Sequence, residues 1–359
     1  MRIAIVSDAW RPQINGVVTT LGKTAEAAER LGHLVEVISA DGSASIACPS
    51  YPEIRLAILP GRIVRERLRQ FGPEMIHIAT EGPLGLAARN YCVRHKLTFT
   101  TSYHTQFPDY AKARWGVPAA WGYAYLRWFH RPAVRTLVGT ETVRTNLHAC
   151  GFNHLVSWSR GVDTTLFRPD PQARALANAR WPRPIMLYSG RVAVEKNLEA
   201  FLRLPLPGTK IIVGDGPARA ALQSQHPDAV FLGYRFGAEL ASHMAAADVF
   251  VFPSRTDTFG IVMLEAMACG VPVAAYPVQG PLDVVRDGVT GALDEDLANA
   301  VQRALQLDAS QCRSFAQLQS WERCTRQFIG HLALAGERPA LQRPRAQDQG
   351  AALAQLKKG

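Results

Sequence analysis

The chain has 359 residues, more than one ordinary core accommodates and enough for two domains that each bury a sheet. Hydrophobic residues make up 47% and charged residues 19%, a balance that excludes wholesale disorder, and no apolar run approaches the ~20 residues that span a bilayer. The net charge of +10, most of it contributed before residue 165, suits an anionic membrane or nucleic acid as well as it suits plain solubility.

The first residues enter a strand-like run, Arg2 to Val6, and reach Ser7 and Asp8 at once, so no signal peptide is expected here. Ile3 to Val6, a helical pattern from Val17 to Leu31 closed by Gly32, and Leu34 to Ile38 predict a βαβ unit. Further strands are predicted at Met75 to Ala79, Thr98 to Thr101 and Thr136 to Gly139, with a helix from Leu84 to His95. The run from Ser159 to Pro169 breaks this alternation. Past the Pro-rich stretch Trp181 to Pro184 it restarts, with strands at Ile185 to Ser189, Lys210 to Val213, Asp248 to Phe252 and Val273 to Tyr276. The expected fold class is therefore α/β, with two Rossmann-like doubly wound domains facing a cleft. The expected division is 1–167, then 168–318, a C-terminal helix over 319–335 that returns to the first domain, and a flexible tail over 336–359 rich in Gln, Ala, Arg and Lys. The six cysteines are widely spaced, with no Cys-x-x-Cys pair, and read as reduced thiols of a cytoplasmic protein.

Ligands of open parallel sheets sit at the C-terminal ends of strands, so chemistry is expected on the loops that follow them. The loop after Phe252 carries Asp257, Phe259 and Gly260 into a helix from Ile261 to Cys269 that contains Glu265. If the helix opens near Gly260, Glu265 lies roughly 7 Å further along the axis than Asp257, at ~1.5 Å per residue. Two carboxylates can then grip the hydroxyls of one ligand, while the amides of Phe259, Gly260 and Ile261 meet phosphate or sugar oxygens. A solvated Asp and an ordinary helical Glu would explain either residue alone. Ser189, Gly190 and Arg191 end another strand, and Lys196 follows within the same loop. An Arg and a Lys together supply a fork and a point charge for a departing pyrophosphate. Gly214, Asp215, Gly216 and Pro217 form a third post-strand loop, where glycines let backbone approach a ligand. Asp294, Glu295 and Asp296 superficially form an Asp-x-Asp metal site, but they open a helical pattern and are assigned to its cap.

The runs SDAWRPQINGVVTTL, SYHTQFPDYA, SRGVDTTLFRP, YSGRVAVEKNLEAFL, GDGP and PSRTDTFGIVMLEAMACGVPVAAY occur in this order. Together they resemble the retaining family 4 glycosyltransferases with the GT-B fold. Within that family the chain looks most like the branch of GDP-mannose-dependent α-mannosyltransferases and glycolipid synthases that glycosylate diacylglycerol or related lipids. The resemblance implies that Arg191 and Lys196 hold the donor diphosphate, Glu265 the ribose and Asp257 the sugar hydroxyls. It also implies that Gly190, Asp215, Gly216 and Phe259 to Ile261 line the donor, and that Asn15 and Gly16 bring the first domain against the phosphates. His104 would orient the transferred sugar. Asp257 departs from the family pattern, which has Glu there; its side chain is one methylene shorter. The mechanism implied is attack by the acceptor hydroxyl on the face that the diphosphate leaves, with the departing phosphate taking the proton and no glycosidase-like acid pair. No cofactor or metal is expected. The donor is expected to be of the GDP-mannose or UDP-glucose type.

On the acceptor side, Ile63 to Phe71 interleaves Arg65, Arg67 and Arg69 with apolar residues, and Arg114 to Arg135 mixes Trp, Tyr and Phe with arginines. That mixture suits a bilayer interface, though a surface helix over an aromatic packing segment accounts for it equally. A lipid or glycan acceptor is expected, with peripheral contact at the inner face of the cytoplasmic membrane. Nucleic acid is not an expected partner, because no recognisable nucleic-acid module is present. A nucleotide-sugar epimerase and a catalytically silent basic binding protein are the competing readings.

Overall fold

The computed structural model describes residues 1–13, 15–41, 44–48, 51–104 and 118–336. The first sheet contains β1 (Arg2–Val6), β2 (Leu34–Ile38), β5 (Met75–Ile78), β6 (Thr100–Tyr103), β7 (Arg135–Val138) and β8 (Leu155–Ser157). Between its second and third strands, β3 (Ser45–Cys48) and β4 (Tyr51–Ala57) form an antiparallel hairpin. The second sheet contains β9 (Ile185–Ser189), β10 (Thr209–Val213), β11 (Val230–Gly233), β12 (Val249–Phe252), β13 (Val273–Ala275) and β14 (Gly291–Leu293). Strand orders are β2-β1-β5-β6-β7-β8 and β11-β10-β9-β12-β13-β14. Both sheets are parallel throughout.

Successive strand residues point to opposite faces, and the second sheet has a core on each. Ile185, Leu187, Phe250 and Phe252 pack on one side. Met186, Tyr188, Val249 and Val251 pack on the other. Continuous apolar strands of this kind are what a parallel sheet covered on both faces demands. The first sheet repeats the arrangement, with Ala4, Val6, Ile76 and Ile78 on one face and Ile3, Ile5 and Met75 on the other.

The helix Trp321–His331 follows the second sheet in the chain but packs on the first. Trp321, Cys324 and Phe328 recur at helical spacing and close over Ile3, Ile5, Leu21 and Trp158. Full burial of Phe328 alone is worth about 1.5–3 kcal/mol. Gly161 permits the close approach that returns the chain: a Cβ there would lie 2.5 Å from the Trp321 nitrogen. Beside it, the Val162 amide donates to Gln319 O at 2.8 Å, and the Trp158 indole donates to Cys324 Sγ at 3.2 Å.

One strand is displaced from its expected place. The sequence pattern predicts Thr98 to Thr101, whereas β6 starts at Thr100 and runs to Tyr103. The Thr98 amide is engaged by Ala335 O at 2.9 Å, which draws residue 98 to the C-terminal segment instead of the sheet. The described cysteines Cys92, Cys150, Cys269, Cys312 and Cys324 are unpaired. Residues 337–359, where a tail is expected, and residues 105–117, which include Arg114 and the end of the SYHTQFPDYA run, lie outside the described residues.

Candidate functional site

In the second sheet the chain winds outward from β9 in one direction through β10 and in the other from β12, so the switch point lies between β9 and β12. The loops leaving those two strands are where a ligand of such a sheet binds. They carry Arg191 and Lys196 on one side and Asp257, Phe259 and Gly260 on the other. Side chains bind the loops together. Asn197 Nδ2 donates to Pro253 O at 3.1 Å, and Thr256 Oγ1 donates to Glu195 O at 3.4 Å. Between them Lys196 Nζ and Asp257 Oδ1 form an ion pair at 2.6 Å. Asp257 Oδ2 is buried without a hydrogen-bond partner among the described residues. A carboxylate oxygen placed like this has lone pairs free to accept from water or a hydroxyl.

The turn into the helix Ile261–Ala268 is made by Gly260, in the left-handed region at φ 82°. A side chain there would be strained by the backbone, and its Cβ would lie 2.8 Å from Met263 Cε. Gly260 has no side chain with which to cap this helix, and no cap hydrogen bond is made to it among the described residues, so its first amides can receive an anion or hydroxyl. Ile261 packs on the same apolar cluster as Val17 of the first sheet's helix, Gly16–Arg30. One turn into the helix, Glu265 keeps part of its surface accessible. Desolvation by the surrounding helices and sheet nevertheless pushes its carboxyl up to about 7.

The glycine-rich loop after β10 has a packing explanation. Gly214 has φ 144°, and a Cβ on it would lie 1.8 Å from Gly190 O. The two loops instead hydrogen-bond, Gly190 N to Val213 O and Val192 N to Asp215 O, both at 2.9 Å. Asp215 receives the Gly216 amide at 2.8 Å and pairs with Arg219 at 2.6 Å; the amide and then the guanidinium hold its carboxyl below the usual range. Gly190 and Val192, on either side of Arg191, thus rest on a floor formed by Gly214, Asp215 and Gly216.

On the first-sheet side, His104 follows β6 and is half-buried, with its Nε2 closed off from solvent. Thr258 Oγ1 donates to His104 O at 2.7 Å, which ties the Asp257 loop to it. Arg160 Nη2 lies 3.2 Å from His104 Nδ1, and Trp158 lies edge-on to the ring at 5.8 Å. Burial first, and the Arg160 charge second, hold the imidazole well below its ordinary pKa, so it is neutral at physiological pH. Arg160 has no role in the sequence reading, although it stands inside the SRGVDTTLFRP run. The available signal was an arginine beside a glycine where the first sheet gives way to the second. Asn15 caps its helix, its Oδ1 accepting from Val17 and Val18 at 3.0 Å each. Gly16 differs from the other site glycines: among the described residues nothing lies within 4 Å of where its Cβ would be.

Asp296 caps the helix Leu297–Ala304, accepting the Ala298 amide at 2.9 Å, while Glu295 pairs with Arg255 at 3.1 Å. A cavity of about 890 Å³ opens between the helices Pro60–Phe71 and Pro83–His95. Arg65, Arg69, Arg94, Tyr91, Glu81 and Tyr125 are among its walls. Arg65, Arg69 and Arg94 meet no carboxylate within 4.0 Å among the described residues.

Two family models match the chain: Glycosyltransferase Family 4 over residues 14–166 and Glycosyl transferases group 1 over 183–307. A GDP-mannose-dependent alpha-mannosyltransferase of Mycobacterium tuberculosis is 35% identical over 320 residues, covering 82% of this chain and 83% of the relative. An alpha-monoglucosyldiacylglycerol synthase of Streptococcus pneumoniae is 26% identical, covering 85% and 78% respectively. Among solved structures, the sucrose-phosphate synthase of Thermosynechococcus elongatus superposes with a TM-score of 0.75 at 22% identity, covering 92% of this chain and 97% of that one.

Proposed function

We propose, from the premise that this chain belongs to the family 4 glycosyltransferases of GT-B fold and so moves sugar from a nucleotide-sugar donor, that it transfers a hexose with retention to a membrane lipid. The observation that carries the donor site is the convergence of Lys196 and Asp257 to 2.6 Å from the two loops that flank the switch point.

Arg191 and Lys196 hold the diphosphate and take up the charge that develops as it leaves. Asp257, released from Lys196 when phosphate takes over the ammonium, accepts from sugar hydroxyls. Glu265 accepts from the ribose, and the amides of Phe259, Gly260 and Ile261 meet oxygens between the two. Gly190 and Gly216 allow the floor beneath to pack, and Asp215 anchors it through Arg219. Gly16, positioned by the Asn15 cap, approaches the phosphates from the first domain. The acceptor hydroxyl attacks the anomeric carbon on the face that the phosphate leaves, and a phosphate oxygen takes its proton.

A lipid acceptor is supported by two features: the basic and aromatic cavity beside Tyr125 and Glu81, and the glucosyldiacylglycerol synthase among the relatives. Paired cations leave no step that needs a metal, so activity is expected to persist in EDTA; loss restored by magnesium or manganese would refute that part. The donor is identified by thermal shift against GDP-mannose, UDP-glucose and the free diphosphates. NMR of the product's anomeric centre tests retention. No shift with any nucleotide sugar, or an inverted product, would overturn the reading.

A further inference from the structure

His104 presents two different environments to its two ring nitrogens. Nδ1 lies 3.2 Å from Nη2 of Arg160. A guanidinium has protons to donate and no lone pair to accept, so this contact is a hydrogen bond only when Nδ1 is unprotonated. Nε2 is buried and has no partner among the described residues. A neutral imidazole whose Nδ1 accepts must carry its single proton on Nε2. We propose that Arg160 is a positioning residue that locks His104 as the Nε2–H tautomer, so that the ring offers a hydrogen-bond donor to a hydroxyl of the transferred sugar.

The geometry of Arg160 supports this fixed role. Its side chain is buried, with only 5% of the residue exposed. Nη1 donates to Trp158 O at 2.6 Å and to Ser159 O at 3.0 Å, which leaves Nη2 aimed at the imidazole. The guanidinium lies 4.4 Å from the Trp158 ring centre and 5.8 Å from that of Phe259, on the donor loop. No carboxylate is paired with it among the described residues. Carbonyls and aromatic faces hold the charge instead. Burial lowers its pKa to about 10, which still leaves it protonated at neutral pH. A charged Arg160 disfavours the imidazolium and an Nδ1–H tautomer alike, because either would set a proton against its own N–H.

The chemical consequence is that His104 donates and does not act as a general base. An Nε2–H can orient a sugar oxygen, but it has no lone pair with which to take the acceptor's proton. Thr258 holds the His104 carbonyl at 2.7 Å, so the donor ring nitrogen and the Asp257 loop are kept in register. The proposal rests on the placing of His104 beside the sugar, and the experiment separates the two.

Long-range ¹H–¹⁵N spectra of the full chain labelled at histidine ring nitrogens, with His104 assigned by loss of its signals in His104→Gln, report the tautomer directly. The expected result is a pyrrole-type Nε2 and a pyridine-type Nδ1 in the unliganded protein, with the Nε2–H resonance moving when GDP-mannose or UDP-glucose saturates the site. Arg160→Met is expected to release the ring into a tautomer mixture. It should lower kcat roughly 10- to 100-fold, since small misplacements at the reacting centre carry costs of that order, while donor KM changes much less. Arg160→Lys, which restores a donor, should recover part of the Nε2–H population. An Nδ1–H tautomer or an imidazolium in the wild-type spectrum would overturn the role of Arg160, whether or not the variants fold. An Nε2–H ring that stays unmoved while donor binds would overturn the sugar contact instead.

Discussion

Lys196 and Asp257 neutralise each other in a place where neither is well solvated, with 21% and 19% of their side-chain surfaces exposed. Removing one member of such a pair strands the other charge, so Lys196→Ala carries two expected effects. Turnover falls by roughly 100-fold or more through the lost leaving-group cation, and the unfolding temperature drops because Asp257 loses its counter-charge. Arg191→Ala should match the loss of turnover. Steady-state kinetics with calorimetry on each variant separates the effects, and near-normal rates in both folded proteins would sink the phosphate assignment. Glu265 makes a different prediction through its carboxyl, raised by burial to about 7 from 4.5. A carboxyl raised on folding binds more protons folded than unfolded between those values. Its contribution to stability is therefore present below pH 4.5 and is lost as pH climbs through about 7. Glu265→Gln removes this loss: the variant should unfold at a higher temperature than wild type at about pH 8, and the gap should close at about pH 5. A gap that stays constant across that range would show that the buried carboxyl does not titrate as described.

The elements of the site differ in what their glycines are for. Gly260 begins the helix Ile261–Ala268 with φ 82°, and a Cβ added to it would meet Met263 at 2.8 Å and Phe252 at 2.9 Å. Gly260→Ala should therefore lose on the order of 1–2 kcal/mol or more of stability. Gly16 begins the helix Gly16–Arg30 with no described residue within 4 Å of the same position. Gly16→Ala should leave stability unchanged or raise it by up to about 1 kcal/mol, and yet weaken donor binding if phosphate occupies that space. Denaturation and donor titration of the two variants test the contrast; unchanged donor affinity in Gly16→Ala would remove the first-domain loop from the phosphates. The same elements explain what was legible in the sequence. Strands buried on both faces, such as Ile185–Ser189, announce themselves as continuous apolar runs, and the helix over Glu265 is bounded by Gly260 and Gly270. The edge strands Leu155–Ser157 and Gly291–Leu293 have only three residues each, too few for a period to show. The Lys196–Asp257 contact spans 61 positions and exists only because parallel strands β9 and β12 are neighbours. Arg160 was illegible for a related reason: its partner His104 lies 56 positions away, across the end of another strand.

At the scale of the whole molecule, the donor loops belong to the second sheet while the basic cavity belongs to the first, so their charges can be altered separately. No helix among the described residues is long and apolar enough to cross a membrane. Arg65 and Arg69 stand one helical turn apart on one wall of the cavity and Arg94 on the other, while Tyr125, at the cleft end, donates to Glu81 O at 2.8 Å. Each arginine close to an anionic surface contributes about 1 kcal/mol, so replacing all three by alanine should weaken association with phosphatidylglycerol vesicles on the order of 100-fold. The effect should shrink above about 0.1 M salt, where the screening length falls below about 10 Å. Donor affinity, measured in the same preparation by calorimetry, should remain that of the parent protein, because Arg191 and Lys196 are untouched. Transfer to a lipid acceptor presented in vesicles should fall with the binding, whereas hydrolysis of the donor by water should persist. Undiminished vesicle binding in the triple variant would take the acceptor away from this cavity and return Arg65, Arg69 and Arg94 to the role of a solvated surface.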